Sequence, residues 1–290
     1  MVIITDERGR LANRLIQFAH FAASGMEHGF PVVNYNFAPF ADAFEGTARE
    51  GAGDPHARVF LARGEMGHRL RVQGLRAAHS AARRGLAFAG RVCDVRRSHD
   101  ATGRQFDLRD PEFVAAAVRG RVFVEGWLFR DYASVAAHAD RIRRLFTPVA
   151  GRRARVDALF GALPHGPGRL RIGLHARRGD YRNFEGGRYF YSDAEYAGIL
   201  ERTAAAFAGR EITFVVCSDE PFRPDALPRP HVTGPGQAVE DLYALSRCDY
   251  VVGPPSTFTI WASFFGRAPL LHVTTADAVI ESSRFAVSPL

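Results

Sequence analysis

With 290 residues the chain is long for one compact domain and comfortable for two, and its 47% hydrophobic and 24% charged residues exclude a disordered or fibrous protein. No run reaches the roughly 18 apolar residues of a membrane span. The net charge of +7 rests on 38 basic side chains, every one an Arg, as in a protein from a GC-rich genome; it favours anionic ligands without choosing among them.

Val2 to Thr5 is a short β-branched run that reads as a buried strand. The stretch DERGRLANR is a loop. After it, Leu15, Phe18, Ala19, Ala22 and Ala23 share one helical face until Gly29 and Pro31 stop the helix. PVVNYN resumes as a strand. Residues 51–105 are rich in Gly, Arg and Ala, with only weak helical periodicity around Leu70 to Leu86. DPEFVAAAV predicts a helix opened by Asp110 and Pro111, RVFVEGW a strand, and the stretch from Ser134 to Phe146 a helix. TPVAGRRAR, near residue 150, is the best boundary, giving domains 1–150 and 151–290.

Beyond it the alternation is strict. LRIGLH, ITFVVCSD, DYVVG and PLLHV read as strands, separated by helices over Asp193 to Phe207, AVEDLYALSRC and STFTIWASFFG. Such a pattern predicts an α/β fold with a parallel sheet covered on both faces. Sheets of this kind bind ligands at the carboxyl ends of their strands. HARRGD, SDE (with Asp219) and GPPST all fall there.

Three widely spaced cysteines, Cys93, Cys217 and Cys248, make neither a disulfide framework nor a zinc spacing and suggest a reducing compartment. MVIITDERGR lacks the charged start and apolar core of a signal peptide, so the expected location is cytoplasmic. The stretch from Arg69 to Arg84 sets Arg71, Arg76, Arg83 and Arg84 around Leu70, Leu75 and Leu86. It reads as a solvated face over a packed stripe, or as a contact with a membrane surface or an acidic partner. The aromatic residues lie on apolar stripes rather than between arginines, which argues against nucleic acid. No G-x-x-x-x-G-K-S/T loop, H-E-x-x-H or G-x-S-x-G is present.

The chemistry concentrates in RIGLHARRGDYRNFEGGRYFYSD, residues 171–193. Adjacent arginines repel unless an anion sits beside them, either a carboxylate of the chain or a phosphate from outside. Strand alternation puts Arg177 on the face of His175 and turns Arg178 the other way, with Asp180 placed to orient Arg178 or the loop. A guanidinium fork matches phosphate oxygens; an Arg–Asp pair closing a strand end is the alternative. In RGRLANRL, Arg10 and Asn13 stand at a strand–loop–helix junction that suits an anion, or Asn13 caps the helix. Asp241 lies near a helix start, where a carboxylate is stabilised by the dipole or can accept the N1 and N2 protons of guanine. Ser256 and Thr257 open another helix with hydroxyls and unpaired amides, or serve as ordinary caps.

GRLANRLIQFA, VEGWLFRDY, GLHARRGDY and DLYALSRCDYVVGPPSTFTIWASFFG follow one another as in the α1,2-fucosyltransferases, and the chain also resembles their α1,6- and protein-O-fucosyltransferase relatives. The resemblance spans about residues 8 to 272, with 51–105 unmatched. It implies a GT-B-like fold of two facing Rossmann-like domains with a cleft between them, the first on the acceptor side and the second binding a GDP-sugar. It further implies GDP-fucose as sugar donor, inverting transfer to a glycan hydroxyl without a metal ion, and bacterial surface polysaccharide as acceptor class. By position, Arg177 is similar to the arginine on the β-phosphate, with His175 and Arg178 beside it, and Asp241 to the aspartate that reads guanine. Ser256 and Thr257 match hydroxyl residues near the pyrophosphate, and Asn13 the asparagine of the first loop. Glu185 stands ten residues after His175, as does the base proposed in α1,6 relatives; partial burial would make such a carboxylate more basic. Asp180 competes with it for that role. The chain departs from the α1,2 enzymes where Ala12 and Arg14 replace a Gly and a Gln, and where GPPST replaces an Asn-Ser-Ser run. These departures leave room for another nucleotide sugar, or for a GDP-sugar-binding protein without turnover.

Overall fold

The computed structural model describes residues 1–5, 9–48, 54–59, 93–97 and 103–290, with isolated positions between 70 and 81. Most of the stretch from Arg69 to Arg84, with its expected membrane or partner contact, lies outside the described residues. The chain divides between Val149 and Ala150 into two compact units.

In the first unit, strand β1 (Val2–Ile4) is fully enclosed because its residues are aliphatic on both faces. Helix α1 (Leu11–His28) buries Leu15, Phe18, Ala19, Ala22 and Ala23, and ends at Gly29, whose φ of 78° closes the last turn. Next come β2 (Val32–Asn34), β3 (Arg58–Val59), β4 (Cys93–Arg97) and a short strand β5 (Phe106–Asp107). Helix α2 (Pro111–Arg119) begins where the Asp110 side chain accepts from the Phe113 amide at 2.8 Å. Strands β6 (Arg121–Glu125) and β7 (Phe129–Arg130) follow. The parallel sheet has the order β3-β2-β1-β6-β4, and β5 pairs only with β7. The expected helix over Ser134 to Phe146 is two, α3 (Tyr132–Ala137) and α4 (Ala139–Leu145). His138 breaks it with φ −107° and ψ 15°, while its imidazole bonds Glu27 on α1 at 2.9 Å.

The second unit opens with helix α5 (Ala150–Gly161), so the expected boundary segment is itself helical. It continues with β8 (Arg169–Ala176), α6 (Asp193–Ala206), β9 (Glu211–Ser218), β10 (His231–Thr233), α7 (Ala238–Ser246), β11 (Tyr250–Gly253), α8 (Thr257–Gly266) and β12 (Leu270–His272). All five strands are parallel, in the order β10-β9-β8-β11-β12. Strands added before α7 therefore build away from β8 on one side and those after it on the other. The direction reverses between β8 and β11, and it is at the carboxyl ends of strands beside such a reversal that sheets of this kind bind ligands.

Ile172, Leu174 and Ala176 of β8 pack against Tyr196, Ile199 and Leu200 of α6, together with Phe214 and Val216. Each Ile, Leu, Val and Phe side chain among them contributes about 1.5–3 kcal/mol when fully buried. On the opposite face Gly173 lets Leu245 and Cys248 come close, since a Cβ there would stand 2.7 Å from the Leu245 Cδ2.

Candidate functional site

The loops after β8, β9 and β11 meet at this reversal. His175, next to last in β8 and on the face opposite Ala176, is 5% exposed. Its ring stacks on Phe258 in the first turn of α8, with centroids 4.8 Å apart and planes 19° apart. Burial, with the charge of Arg177 and then His272 adding, pushes its pKa down to about 3, so the imidazole is neutral. Its Nδ1 is buried and has no hydrogen-bond partner. Phe258 carries no sequence signal of its own, because an apolar residue in a helix reads as core.

Arg177 emerges just beyond the strand. Its Nε donates to Asp180 Oδ1 at 2.7 Å and its Nη2 to Asp180 Oδ2 at 2.8 Å, with Asp219 Oδ2 3.3 Å from Nε. The guanidinium also lies over the Tyr181 ring, 5.3 Å from its centroid. Burial opposes its charge, but Asp180 and Asp219 more than offset that and hold it protonated above its ordinary value. The anion beside this arginine is thus a carboxylate of the chain. Among the described residues, Nη1 is left out of these bonds.

Asp180, expected to orient Arg178 or the loop, binds Arg177 rather than Arg178, with both its oxygens in that fork. Arg178 turns the other way, pairs with Asp193 at the start of α6 at 2.7 Å and lies over Phe222. Asp219 organises the loop. Its Oδ1 accepts from the amides of Arg178 at 2.8 Å and Gly179 at 3.3 Å. Tyr181 ties the loop to the next strand end, donating to the Pro255 carbonyl at 2.6 Å. Beside Asp219 a cavity of about 440 Å³ opens between the ends of β9 and β10, lined also by Ser218, Glu220, Phe222, His231 and Thr233.

Ser256 is the N-cap of α8, its Oγ accepting from the Phe258 amide at 3.1 Å, and Thr257 is the first helical residue. The capping reading of Ser256 therefore holds.

Asp241, in the first turn of α7, is buried, and its Oδ1 accepts from the Gly236 amide at 2.8 Å. Burial, reinforced by the charge of Glu240 and opposed by the Gly236 amide, pushes its pKa up to about 6. Gly234 is needed beside it: a Cβ there would stand 2.7 Å from Asp241 Oδ1 and 2.6 Å from Cys217 Sγ. Glu240, which sequence reasoning passed over, is wholly buried and takes both oxygens to Arg152 Nη1 of α5 at 3.0 Å, with Arg155 also bonded. An acid inside AVEDLYAL paired with the run RRAR is the signal that could have revealed it.

Two expectations change. Glu185, expected partly buried, is exposed in a left-handed turn (φ 48°, ψ 42°) followed by Gly186 and Gly187, both at positive φ. Asn13 does not cap α1; the N-cap is the exposed Arg10, without a side-chain cap bond, and Asn13 lies within the first turn. Gly9, at φ 71°, folds over Asn13 so closely that a Cβ would be 2.4 Å from its Nδ2. Arg10 and Asn13 belong to the first unit, the remaining candidates to the second. Among the described residues no three His, Cys, Asp or Glu side chains gather as metal ligands, and no helix is long and apolar enough to cross a membrane.

No protein-family profile matches the chain, and no curated protein matches it. Solved structures do. A mutant of Arabidopsis thaliana FUT1 in complex with GDP is 12% identical with a TM-score of 0.59, over 98% of this chain and 73% of that one. The α1,6-fucosyltransferase NodZ soaked with GDP-fucose is 17% identical with a TM-score of 0.54, over 98% and 96%. POFUT1 in complex with GDP-fucose is 12% identical with a TM-score of 0.57, over 94% and 97%. At these identities the likeness is one of fold, and with two parallel sheets flanked by helices it identifies the chain as a GT-B-like α/β protein.

Proposed function

We propose that the chain is a glycosyltransferase that takes fucose from GDP-fucose and passes it, with inversion and without a metal ion, to a hydroxyl of a glycan. The observation that carries this reading is the convergence at the β8–β11 reversal. A neutral buried His175 with an unpartnered Nδ1, the Arg177 guanidinium and the start of α8 all lie at the carboxyl ends of β8 and β11. Fold likeness to structures holding GDP or GDP-fucose supports the same ligand.

In the reaction the acceptor oxygen attacks the anomeric carbon, the bond from that carbon to the diphosphate breaks, and the acceptor proton passes to a base. Charge builds on the leaving GDP. The Nη1 edge of Arg177 and the positive end of the α8 dipole stabilise it, and electrostatic help of this kind reduces the barrier most where water is excluded. Asp241 takes the guanine edge. Glu185 is the base, set in solvent where an acceptor arrives, because Asp180 is occupied by Arg177.

Thermal shift against GDP, GDP-fucose, GDP-mannose, UDP and RNA tests the binding, and release of fucose with and without EDTA tests the chemistry. GDP and GDP-fucose should raise the melting temperature, and UDP and RNA should not. A chain indifferent to GDP overturns the reading. GDP-sugar binding without any turnover selects the second reading, a non-catalytic binder, which the filled Arg177–Asp180 fork favours.

A further inference from the structure

Tyr181 is 7% exposed, although Asp180 before it and the run from Arg182 to Gly186 after it are all exposed. The other two buried tyrosines of the second unit, Tyr191 and Tyr196, belong to the core around α6, and Tyr181 does not. Its burial therefore has to be explained by what its ring and its hydroxyl hold.

The ring meets two groups of the site. The Arg177 guanidinium lies over it, 5.3 Å from its centroid, which is within the reach of about 6 Å of a cation–π contact. Phe184 stacks on it with centroids 5.1 Å and planes 22° apart, and Phe184 is the residue before Glu185 in its left-handed turn. The hydroxyl holds a third group, donating to the Pro255 carbonyl 74 residues away at 2.6 Å, next to the Ser256 cap of α8. Burial holds the phenol above its ordinary pKa, against the Ser256 hydroxyl and the charge of Arg177, so it stays a donor.

These contacts supply what Asp180 and Asp219 leave open. The two carboxylates take the Nε and Nη2 edge of Arg177 and fix where that edge lies. Bonds along one edge restrain only weakly the tilt of a planar group about that edge. A ring packed against the guanidinium restricts the tilt, and with it the direction of Nη1.

We propose that Tyr181 is a positioning residue: its ring sets the plane of the Arg177 guanidinium, and its hydroxyl fastens the Arg177 loop to the start of α8. The benefit to sugar transfer rests on the glycosyltransferase reading; the hold on Arg177 does not. Tyr181→Leu removes the ring and the hydroxyl, and Tyr181→Phe the hydroxyl alone. In NMR selective for arginine Nε–H groups on the full chain, the peak that vanishes in Arg177→Lys belongs to Arg177. It should shift and broaden in Tyr181→Leu and stay near its place in Tyr181→Phe. A peak unmoved in Tyr181→Leu overturns the hold.

Fucose release from GDP-fucose separates positioning from folding. Tyr181→Leu should lower kcat about tenfold, the size of one partly desolvated cation–π contact. KM for GDP-fucose should stay within about twofold, because the charge that Nη1 meets builds only in the transition state. Tyr181→Phe should lose only about threefold, one net hydrogen bond, and a fully active Tyr181→Phe overturns the fastening to α8. In the Arg177→Lys background there is no planar group to orient, so Tyr181→Leu should cost less than about twofold. Equal costs in the two backgrounds, or a loss that only tracks the folded fraction by circular dichroism, overturn the proposal. If the chain binds GDP without turnover, the same cycle is read on GDP affinity. A chain indifferent to GDP removes the transferase reading, and the Arg177 peak then decides the hold by itself.

Discussion

At the scale of single residues, Arg177 holds two carboxylates of its own chain while the proposed reaction asks it to stabilise a diphosphate. The bonds to Asp180 use Nε and Nη2, which orients the whole fork and leaves Nη1 for a guest. A lysine keeps the charge that Asp180 and Asp219 need but loses the planar fork. Arg177→Lys should therefore fold normally by circular dichroism and lose about 100-fold in fucose release, the typical cost of one transition-state hydrogen-bond donor. Turnover close to wild type in that variant would remove Arg177 from the chemistry. Asp241 poses the opposite problem, a carboxylate buried at a cost. Its pKa of about 6 in the fold, against 3.8 ordinarily, means the folded chain binds the extra proton between those values. Stability from this group is lowest above pH 6 and recovers as pH falls toward 3.8, a difference of about 3 kcal/mol. Guanine recognition runs the other way, because it needs the ionised form and should weaken below pH 6. Asp241→Asn should raise the melting temperature at pH 7.5 while lowering GDP affinity, read by calorimetry; a variant that loses both, or neither, contradicts the assignment.

At the scale of elements, the site depends on how closely the helices are set. Gly266 ends α8 where a Cβ would stand 1.8 Å from the Ser246 carbonyl oxygen of α7. Backbone cannot yield as a side chain can, so Gly266→Ala should cost about 1–3 kcal/mol and lower the melting temperature by several degrees. Unchanged melting would mean that α7 and α8 are not in that contact. The helices bearing Asp241 and Ser256 were legible in the sequence because both carry apolar residues at helical spacing, one opening on the cap residue Ser256 and the other with Glu240 and Asp241 in its first turn. The two-residue β3 and the three-residue β10 were not, since runs that short show no period. The break at His138 was also hidden: the apolar spacing continues through it, and Glu27, which its imidazole bonds, is distant in sequence.

At the scale of the whole molecule, each unit has its own sheet and its own core. Such a chain should unfold in two calorimetric transitions. GDP at about 100 times its dissociation constant should stabilise one of them by about 2.7 kcal/mol, and it should be the same transition that Gly266→Ala lowers. A ligand response in the other transition would place the nucleotide in the wrong unit. The sequence by itself determined the alternation of strands and helices, the parallel sheet and the strand ends where HARRGD, SDE and GPPST converge, because these follow from local periodicity and short connections. Only the tertiary structure decided who partners whom. Asp180 reaches Arg177 from three residues away, but Asp219, Asp193, Phe258 and the Arg152–Glu240 pair are brought in by strand order, and strand order is set by packing between segments far apart in the chain.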